Sequence, residues 1–414
     1  MASRRIKALL ILSLLAVSGS SLAAMATARQ APRAKLSDYF TPSDIDRSKE
    51  YRTPVYALGF TGLVAAIVVG EAMGLGPGVR ALGRWSSSVT GDRWPLQALL
   101  LAGVVTVGVG LVSLPFGYGR YLHDRHWSLS TQSATGYFAD VAKGTAFELG
   151  IAAITALAFV GIVRGLPRAW PAVAAGFAVV FTVMLVYVFP VIYEPLFNKF
   201  TPVEPGVRTR ILAVAQRAGV KVDEVLVADA SRRTTRQNAY VSGLGSTKRV
   251  VLYDTLLEQS SPDEVDLVVA HELSHVKHND VVKGTAVAAI GAALAVLLIW
   301  RLLECEALRS WIGAAGPGDP RALPFLAFVL AVATFVTAPA LNAYSRRVEA
   351  AADRSAIEIT SDPDTAIKVE VNLARSNISD LDPNGFIETM FFTHPSTLER
   401  IQIALDWKAA RPGL

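Results

Sequence analysis

The 414-residue sequence predicts a mainly α, polytopic membrane protein with about seven transmembrane helices and a small α+β domain outside the bilayer. Hydrophobic residues make up 52% of the chain and charged residues only 18%, whereas soluble domains carry about 25% charged residues. Long apolar runs recur along the chain, and two polar stretches interrupt or follow them. These three observations together indicate a membrane protein with a soluble part.

Seven apolar runs are long enough to cross a hydrocarbon layer, which takes roughly 20 helical residues. They lie at residues 8–25, 55–75, 96–114, 146–163, 172–192, 282–303 and 323–341. The first run follows three basic residues and ends in small ones. Residues 1–27 therefore fit either a cleaved signal peptide or a retained first helix.

The runs divide the chain into four parts. We expect an N-terminal membrane region at 1–192 with about five spans, a soluble part at 193–281, two spans at 282–341 and a second soluble part at 342–414. Within the first soluble part, "VKVDEVLVADAS" is typical of a strand, and "NAYVSGLGSTKRVVLYDTLL" predicts a strand, a glycine-rich turn and a strand. The two soluble parts are expected to pack together on one side of the membrane.

Charge and cysteine content exclude several classes of function. The net charge is only +5, and the chain contains no long basic run, so nothing indicates nucleic-acid binding. Cys305 is the only cysteine. An intrachain disulfide and a cysteine-rich metal site are therefore excluded, and any metal must use His, Asp or Glu ligands.

The segment "SSPDEVDLVVAHELSHVKHND" predicts a helix that carries a metal site. Ser261 is placed as its N-cap, and Glu264 completes a capping box. His271 and His275, four residues apart, share one helix face and can bind the same ion. Glu272 can then act on a water at that ion, which is the arrangement of a zinc metalloprotease.

A second predicted helix, "NAYSRRVEAAAD", supplies Glu349 and, four residues later, Asp353. Two histidines and one glutamate complete the three-ligand set of a catalytic zinc site. Asp353 can accept the outer N–H of a ligating imidazole. The alternative is a solvated helix face on which both carboxylates pair with Arg346 and Arg347. His394, in "FFTHPSTLER", is isolated in sequence, and spacing alone assigns it no role.

Five motifs occur in an order that matches a known family. They are "YEPLFNKFTPV", "NAYVSGLGSTKRVVLYDTLL", "HELSHVKHND", "SRRVEAAAD" and "HPSTLERI". In this order the chain resembles the integral-membrane CAAX prenyl endopeptidases and their bacterial relatives, which are zinc metalloproteases with seven membrane helices. The resemblance covers nearly the whole chain.

The resemblance implies a gluzincin-like zincin domain with one zinc ion per chain. It implies His271, His275 and Glu349 as zinc ligands, Glu272 as general base and acid, and Asp353 as the support of a ligand. It also implies a retained first helix and a large chamber enclosed by the membrane helices around the site.

Four further residues take roles from the same resemblance. His394 would hydrogen-bond the oxyanion as charge develops. Asn238 and Ala239 would line the substrate groove as an edge strand and pair with an extended peptide. Arg346 would hold its helix or contact substrate, although a salt bridge is the simpler alternative.

We therefore expect a membrane zinc endopeptidase that hydrolyses peptide bonds through metal-activated water. A non-catalytic membrane scaffold or transporter with a structural zinc site is the alternative. The Ala/Gly/Val/Arg-rich composition suggests a bacterium, where membrane or misfolded proteins are more plausible substrates than prenylated ones. The basic residues between positions 29 and 52 outnumber those before the first run, which favours a plasma-membrane protein with a cytoplasmic active site.

Overall fold

The computed structural model describes residues 32–243 and 248–411. Helices dominate these ranges, with a four-stranded sheet in the middle of the chain. The helices are α1 (Pro42–Gly74), α2 (Gly76–Thr90), α3 (Trp94–His126), α4 (Ala134–Gly165), α5 (Trp170–Ile192), α6 (Glu194–Phe197), α7 (Pro205–Ala218), α8 (Asp254–Gln259), α9 (Pro262–Lys277), α10 (Asp280–Glu304), α11 (Glu306–Ile312), α12 (Leu323–Thr360), α13 (Pro363–Ser376), α14 (Gly385–Phe391) and α15 (Thr397–Ala409). The strands are β1 (Phe200–Pro202), β2 (Glu224–Ala228), β3 (Ala239–Ser242) and β4 (Arg249–Tyr253).

Six helices in the described ranges are long and apolar enough to cross a membrane. They are α1, α3, α4, most of α5, α10 and α12. Each covers one of the apolar runs predicted from the sequence to within one residue, so the multi-pass α-helical class is confirmed. The run at 8–25, and with it the choice between a signal peptide and a retained helix, lies outside the described residues.

The six apolar helices are neighbours in the order α12, α1, α3, α4, α5, α10, and the last again touches the first. This arrangement makes them a ring. At the ends of the spans far from the sheet, a buried apolar cluster joins α2, α4, α5, α10, α11 and α12. Val79, Val163, Trp170, Val296 and Phe325 belong to this distal cluster. Four of the six ring helices, α4, α5, α10 and α12, contribute to it, so the distal cluster lies inside the ring at that end.

The soluble unit is a small α+β domain, as predicted. Its strands are ordered β1-β2-β4-β3, with β2 and β4 parallel and the two outer pairs antiparallel. The turn between β3 and β4, residues 244–247, lies outside the described residues. Helices α7, α8, α9 and the end of α12 pack on this sheet around Ile211, Leu252, Leu273 and Ala356. β3 therefore forms one edge of the sheet, beside α9.

Helix α12 runs for 38 residues without interruption, from its apolar half into its polar half. The predicted boundary between residues 341 and 342 falls inside this single helix. Pro339 lies within it and does not end it. In the same way α10 begins at Asp280, two residues after the C-cap of α9. Both long helices thus connect the membrane ring directly to the polar part of the protein.

Candidate metal centre

Helix α9 is fixed at its N-terminus before it reaches the polar residues at its other end. The backbone N–H of Ser261 donates to the Glu264 carboxylate at 2.7 Å, as the predicted capping box requires. The same carboxylate accepts a hydrogen bond from the amide of Asn372 in α13 at 2.6 Å. This cap positions α9 against α13 and sets the register of the histidines that follow.

His271 and His275 extend from α9 toward Glu349 of α12. The Nε2 atom of His271 lies 3.1 Å from Oε2 of Glu349 and 3.3 Å from Nε2 of His275. Nε2 of His275 lies 3.6 Å from the same Glu349 oxygen. The three ligand atoms fall within 4.8 Å of one another. The structure therefore brings together the three residues that the sequence pattern pairs as ligands.

Both imidazoles have a carboxylate at their outer nitrogen. Nδ1 of His271 lies 2.8 Å from Oδ1 of Asp353, in a contact oblique to the ring N–H. Nδ1 of His275 lies 3.1 Å from Oδ2 of Asp280. These contacts leave both Nε2 lone pairs directed inward, toward Glu349.

Asp280 was not singled out in the sequence analysis. It follows His275 by five residues and begins the next helix, after Asn279 adopts a left-handed conformation with φ of 56°. Asn is among the few residues that take this conformation readily. The "ND" pair directly after the histidine helix was the signal that could have predicted this carboxylate.

Arg400 of α15 was also missed, although it lies in the quoted motif "HPSTLERI". Its guanidinium donates to both oxygens of Asp353, at 2.9 and 2.6 Å, and reaches Oε1 of Glu370 at 3.0 Å. Burial raises the pKa of Glu370 to about 7, against the opposing effect of Arg400. The carboxylates of Glu370 and Asp353 in turn raise the pKa of Arg400, so its charge is permanent. A buried chain of charges therefore supports His271.

Glu272 follows His271 directly and lies mostly out of solvent. Burial raises the pKa of its carboxyl, which the neighbouring imidazoles of His271 and His275 partly offset. A carboxylate in such surroundings binds a proton more readily than one in water.

His394 approaches the cluster from the loop between α14 and α15. Its Nε2 atom lies 3.3 Å from Oε2 of Glu349, and its Nδ1 atom lies 2.9 Å from the Thr393 hydroxyl. The side chain is 57% exposed, in contrast to the buried His271. The structure thus places His394 at the open side of the cluster.

Arg346 of α12 contacts the backbone that leads to His394. Its Nη1 atom donates to the carbonyls of Glu388 and Phe392 at 3.0 and 2.8 Å. The Asn342 amide, one helical turn earlier, donates to the carbonyl of Met390 at 2.6 Å. Arg346 therefore ties α12 to α14 and to the segment that leads to His394.

Asn238 and Ala239 lie at the sheet edge. The Asn238 carbonyl accepts a hydrogen bond from the Tyr253 N–H at 3.0 Å, and Ala239 is paired with Leu252 and buried. Across residues 32–243 and 248–411, β3 pairs with β4 alone. Its other edge is therefore available to another strand.

The residues of the cluster fit a divalent metal. Two imidazole nitrogens and one carboxylate oxygen converge, and both imidazoles have carboxylates at their outer nitrogens. This donor set, with no cysteine, is the set that catalytic zinc sites use.

Two family models match consecutive parts of the chain. The model described as "CAAX prenyl protease N-terminal, five membrane helices" matches residues 22–199. The model of peptidase family M48 matches residues 203–408. The family resemblance noted from the motifs is therefore confirmed.

Individual relatives agree with the family models. The uncharacterized metalloprotease YhfN of Bacillus subtilis (strain 168) is 28% identical over 391 residues, which are 94% of this chain and 91% of the relative. CAAX prenyl protease 1 of Saccharomyces cerevisiae is 31% identical over 189 residues, 45% of this chain and 42% of the relative. The crystal structure of S. mikatae Ste24p has the same fold, with a TM-score of 0.75 at 21% identity over 91% of this chain and 92% of that chain. The chain therefore belongs to peptidase family M48 and is a membrane metalloendopeptidase.

Proposed function

We propose that this protein holds one zinc ion per chain between His271, His275 and Glu349 and uses it to hydrolyse peptide bonds. The convergence of these three side chains within 4.8 Å, directly beside Glu272, is the observation that supports the proposal most strongly. When bound there, zinc supplies polarisation of the scissile carbonyl and a lower pKa for a water molecule.

Glu272 performs the proton transfers. Its carboxylate takes a proton from the attacking water as the new C–O bond forms. It then gives that proton to the amine nitrogen as the C–N bond breaks. The raised pKa of Glu272 suits both steps, because the carboxyl must bind the proton and later release it.

His394 stabilises the negative charge that develops on the carbonyl oxygen. Its Nδ1 atom is engaged by the Thr393 hydroxyl, and Nε2 faces the cluster, so an N–H at Nε2 can donate to that oxygen. Arg346 contributes by holding the segment before His394 through its two carbonyl contacts. In this role Arg346 is a positioning residue.

The edge of β3 around Asn238 and Ala239 receives the substrate as an added strand. Main-chain hydrogen bonds along a free sheet edge hold an extended peptide without strong demands on its side chains. β3 lies beside α9, so a peptide paired with it passes close to the metal ligands.

The cellular setting is a further part of the proposal. The basic residues at the start of α1, among them Arg47, Lys49 and Arg52, lie on the same side of the ring as the metal cluster, since Arg52 donates to the carbonyl of Ile378. Positive residues favour the cytoplasmic side. We therefore place the site in the cytoplasm of a bacterium, at its plasma membrane, where membrane or misfolded proteins are the substrates. We also propose four functional parts: an N-terminal membrane region at 1–192, a soluble part at 193–281, two spans at 282–341 and a second soluble part at 342–414, with helix α12 continuous across the last boundary.

The test compares detergent-purified wild type with Glu272→Gln on a mixed peptide library, with bound zinc measured in both. We expect the variant to keep its zinc and to lose about 10²–10⁴-fold in cleavage rate, since a general base contributes that much. Glu258→Gln is the matched control, because Glu258 is exposed on the neighbouring helix α8. Undiminished cleavage by Glu272→Gln would refute the assignment.

A further inference from the structure

The apolar middles of the six membrane helices contain one charged residue. Asp, Glu, Lys, Arg and His are absent from residues 53–70, 95–119, 171–187, 284–300 and 323–345, and Glu148 is the single such residue in 144–163. A charged side chain at this depth is costly, and such residues face the interior of a helix bundle, a water-filled cavity or a partner.

Glu148 points to the inside of the ring. On either side of it in sequence, Phe147 contacts Tyr193 at the junction of α5 and α6, and Leu149 lies against Gly103 of α3. Successive helical residues are about 100° apart, so Glu148 points between these two neighbouring helices. Phe159, eleven residues later and on the same face, packs against the distal cluster inside the ring. The face shared by Glu148 and Phe159 is therefore the inward one.

The depth of Glu148 lies between the metal cluster and the distal cluster. Asp140, eight residues earlier, binds Arg233 of the soluble domain at 2.7 Å. Glu148 is therefore about 12 Å from this contact along the helix axis, in the direction away from the soluble domain. The side chain is exposed to solvent, and no side chain in residues 32–243 or 248–411 pairs with its carboxylate. A carboxyl group at this position requires a water-filled space and is available to a cationic partner.

We propose that Glu148 is a specificity-determining residue that binds a lysine or arginine side chain of the polypeptide being cleaved. The inference rests on the proposed peptidase function, because it concerns how substrate lies inside the ring. A lysine or arginine fits this position better than a small inorganic cation does. Its methylene stem can pack on the apolar wall around Glu148 while its charged end reaches the carboxylate.

The experiment uses purified full-length protein and one peptide built of neutral residues. A single lysine, or in a second series a single glutamate, is moved stepwise along this peptide, with glutamine as the reference. The readout is the ratio of kcat/KM for each lysine peptide to that of the glutamine peptide, determined separately for each variant. We expect wild type to favour lysine at one or two adjacent positions by about fivefold, which corresponds to one partly screened ion pair. The preference should shrink as NaCl is raised from about 50 to about 500 mM.

Glu148→Gln should bring this ratio to about one. Glu148→Lys should reverse it, so that a glutamate at the same peptide position becomes favoured over lysine. Glu71→Gln is the matched control, because Glu71 lies three residues from the end of α1, and its lysine preference should equal that of wild type. A wild-type ratio of one at every position, or an unchanged preference in both Glu148 variants, would overturn the inference. Failure of zinc-loaded wild type to cleave any peptide would instead refute the proposed function.

Discussion

The two imidazoles of the metal cluster are supported in different ways. Behind His271 stand Asp353, Arg400 and Glu370, which come from three helices. The two carboxylates are buried, and the Arg400 side chain is only 18% exposed. Behind His275 stands Asp280, five residues away, followed by Lys283 at 3.6 Å with 58% of its side chain exposed. One imidazole thus depends on long-range packing of charges, and the other depends on a local turn at the edge of the membrane region.

This difference has an energetic consequence. Buried charges are stable only when each has its partners, and removal of one partner leaves the others uncompensated. Charges near solvent can be hydrated again, so the loss of a partner costs less. The support of His271 should therefore matter for the folding of the whole soluble unit, whereas the support of His275 should matter mainly for metal affinity.

The largest expected effect follows from Arg400→Met. This change leaves the carboxylates of Asp353 and Glu370 buried without their shared cation, and it should lower the free energy of unfolding by about 3–5 kcal/mol. Denaturant titration of the protein in detergent, followed through a spectroscopic signal of the soluble unit, measures this loss of stability.

The control for this variant is Arg411→Met. Arg411 pairs with Glu358 at 3.8 Å, and both side chains are about half exposed, at 42% and 53%. Its removal should change stability by less than about 1 kcal/mol. Equal losses from the two substitutions would show that burial of the Arg400 chain makes no special contribution.

A smaller effect should distinguish the two supporting carboxylates. Asp353→Asn and Asp280→Asn should each weaken zinc binding by about 10–100-fold, because a carboxylate at the outer nitrogen raises the basicity of the imidazole and orients it. Asp353→Asn should have the larger effect, since it also leaves Arg400 without a bidentate partner. Competition with a chelator measures the affinities.

Asp382→Asn is the control for these two variants. Asp382 is exposed on the loop between α13 and α14, so this change should leave zinc affinity unchanged. If Asp280→Asn weakened binding more than Asp353→Asn, the asymmetry described for the two imidazoles would be wrong.

The sequence predicted those parts of the site that depend on local spacing. The four-residue separations of His271 from His275 and of Glu349 from Asp353, together with the Ser261 cap, are helix properties that need no tertiary information. The six apolar helices were predicted for the same reason, from length and composition.

The missed features depend on distant contacts. Arg400 meets Asp353 across 47 residues, and Glu370 joins them from a third helix. Contacts between residues so far apart in sequence leave no periodic pattern within a single helix, so they could not be predicted. The continuity of α12 was missed because its polarity changes near residue 342, whereas its backbone does not change.

The central claim is that His271, His275 and Glu349 form a catalytic zinc site, and X-ray absorption at the zinc edge tests it most directly. For purified enzyme with one zinc per chain, we expect two imidazole nitrogens at about 2.0–2.1 Å, one carboxylate oxygen at about 2.0–2.2 Å and one oxygen from solvent. Glu349→Gln should change the oxygen shell and leave the imidazole shell. Four protein ligands around the zinc, or an imidazole count that stays at two in His271→Ala, would contradict the account.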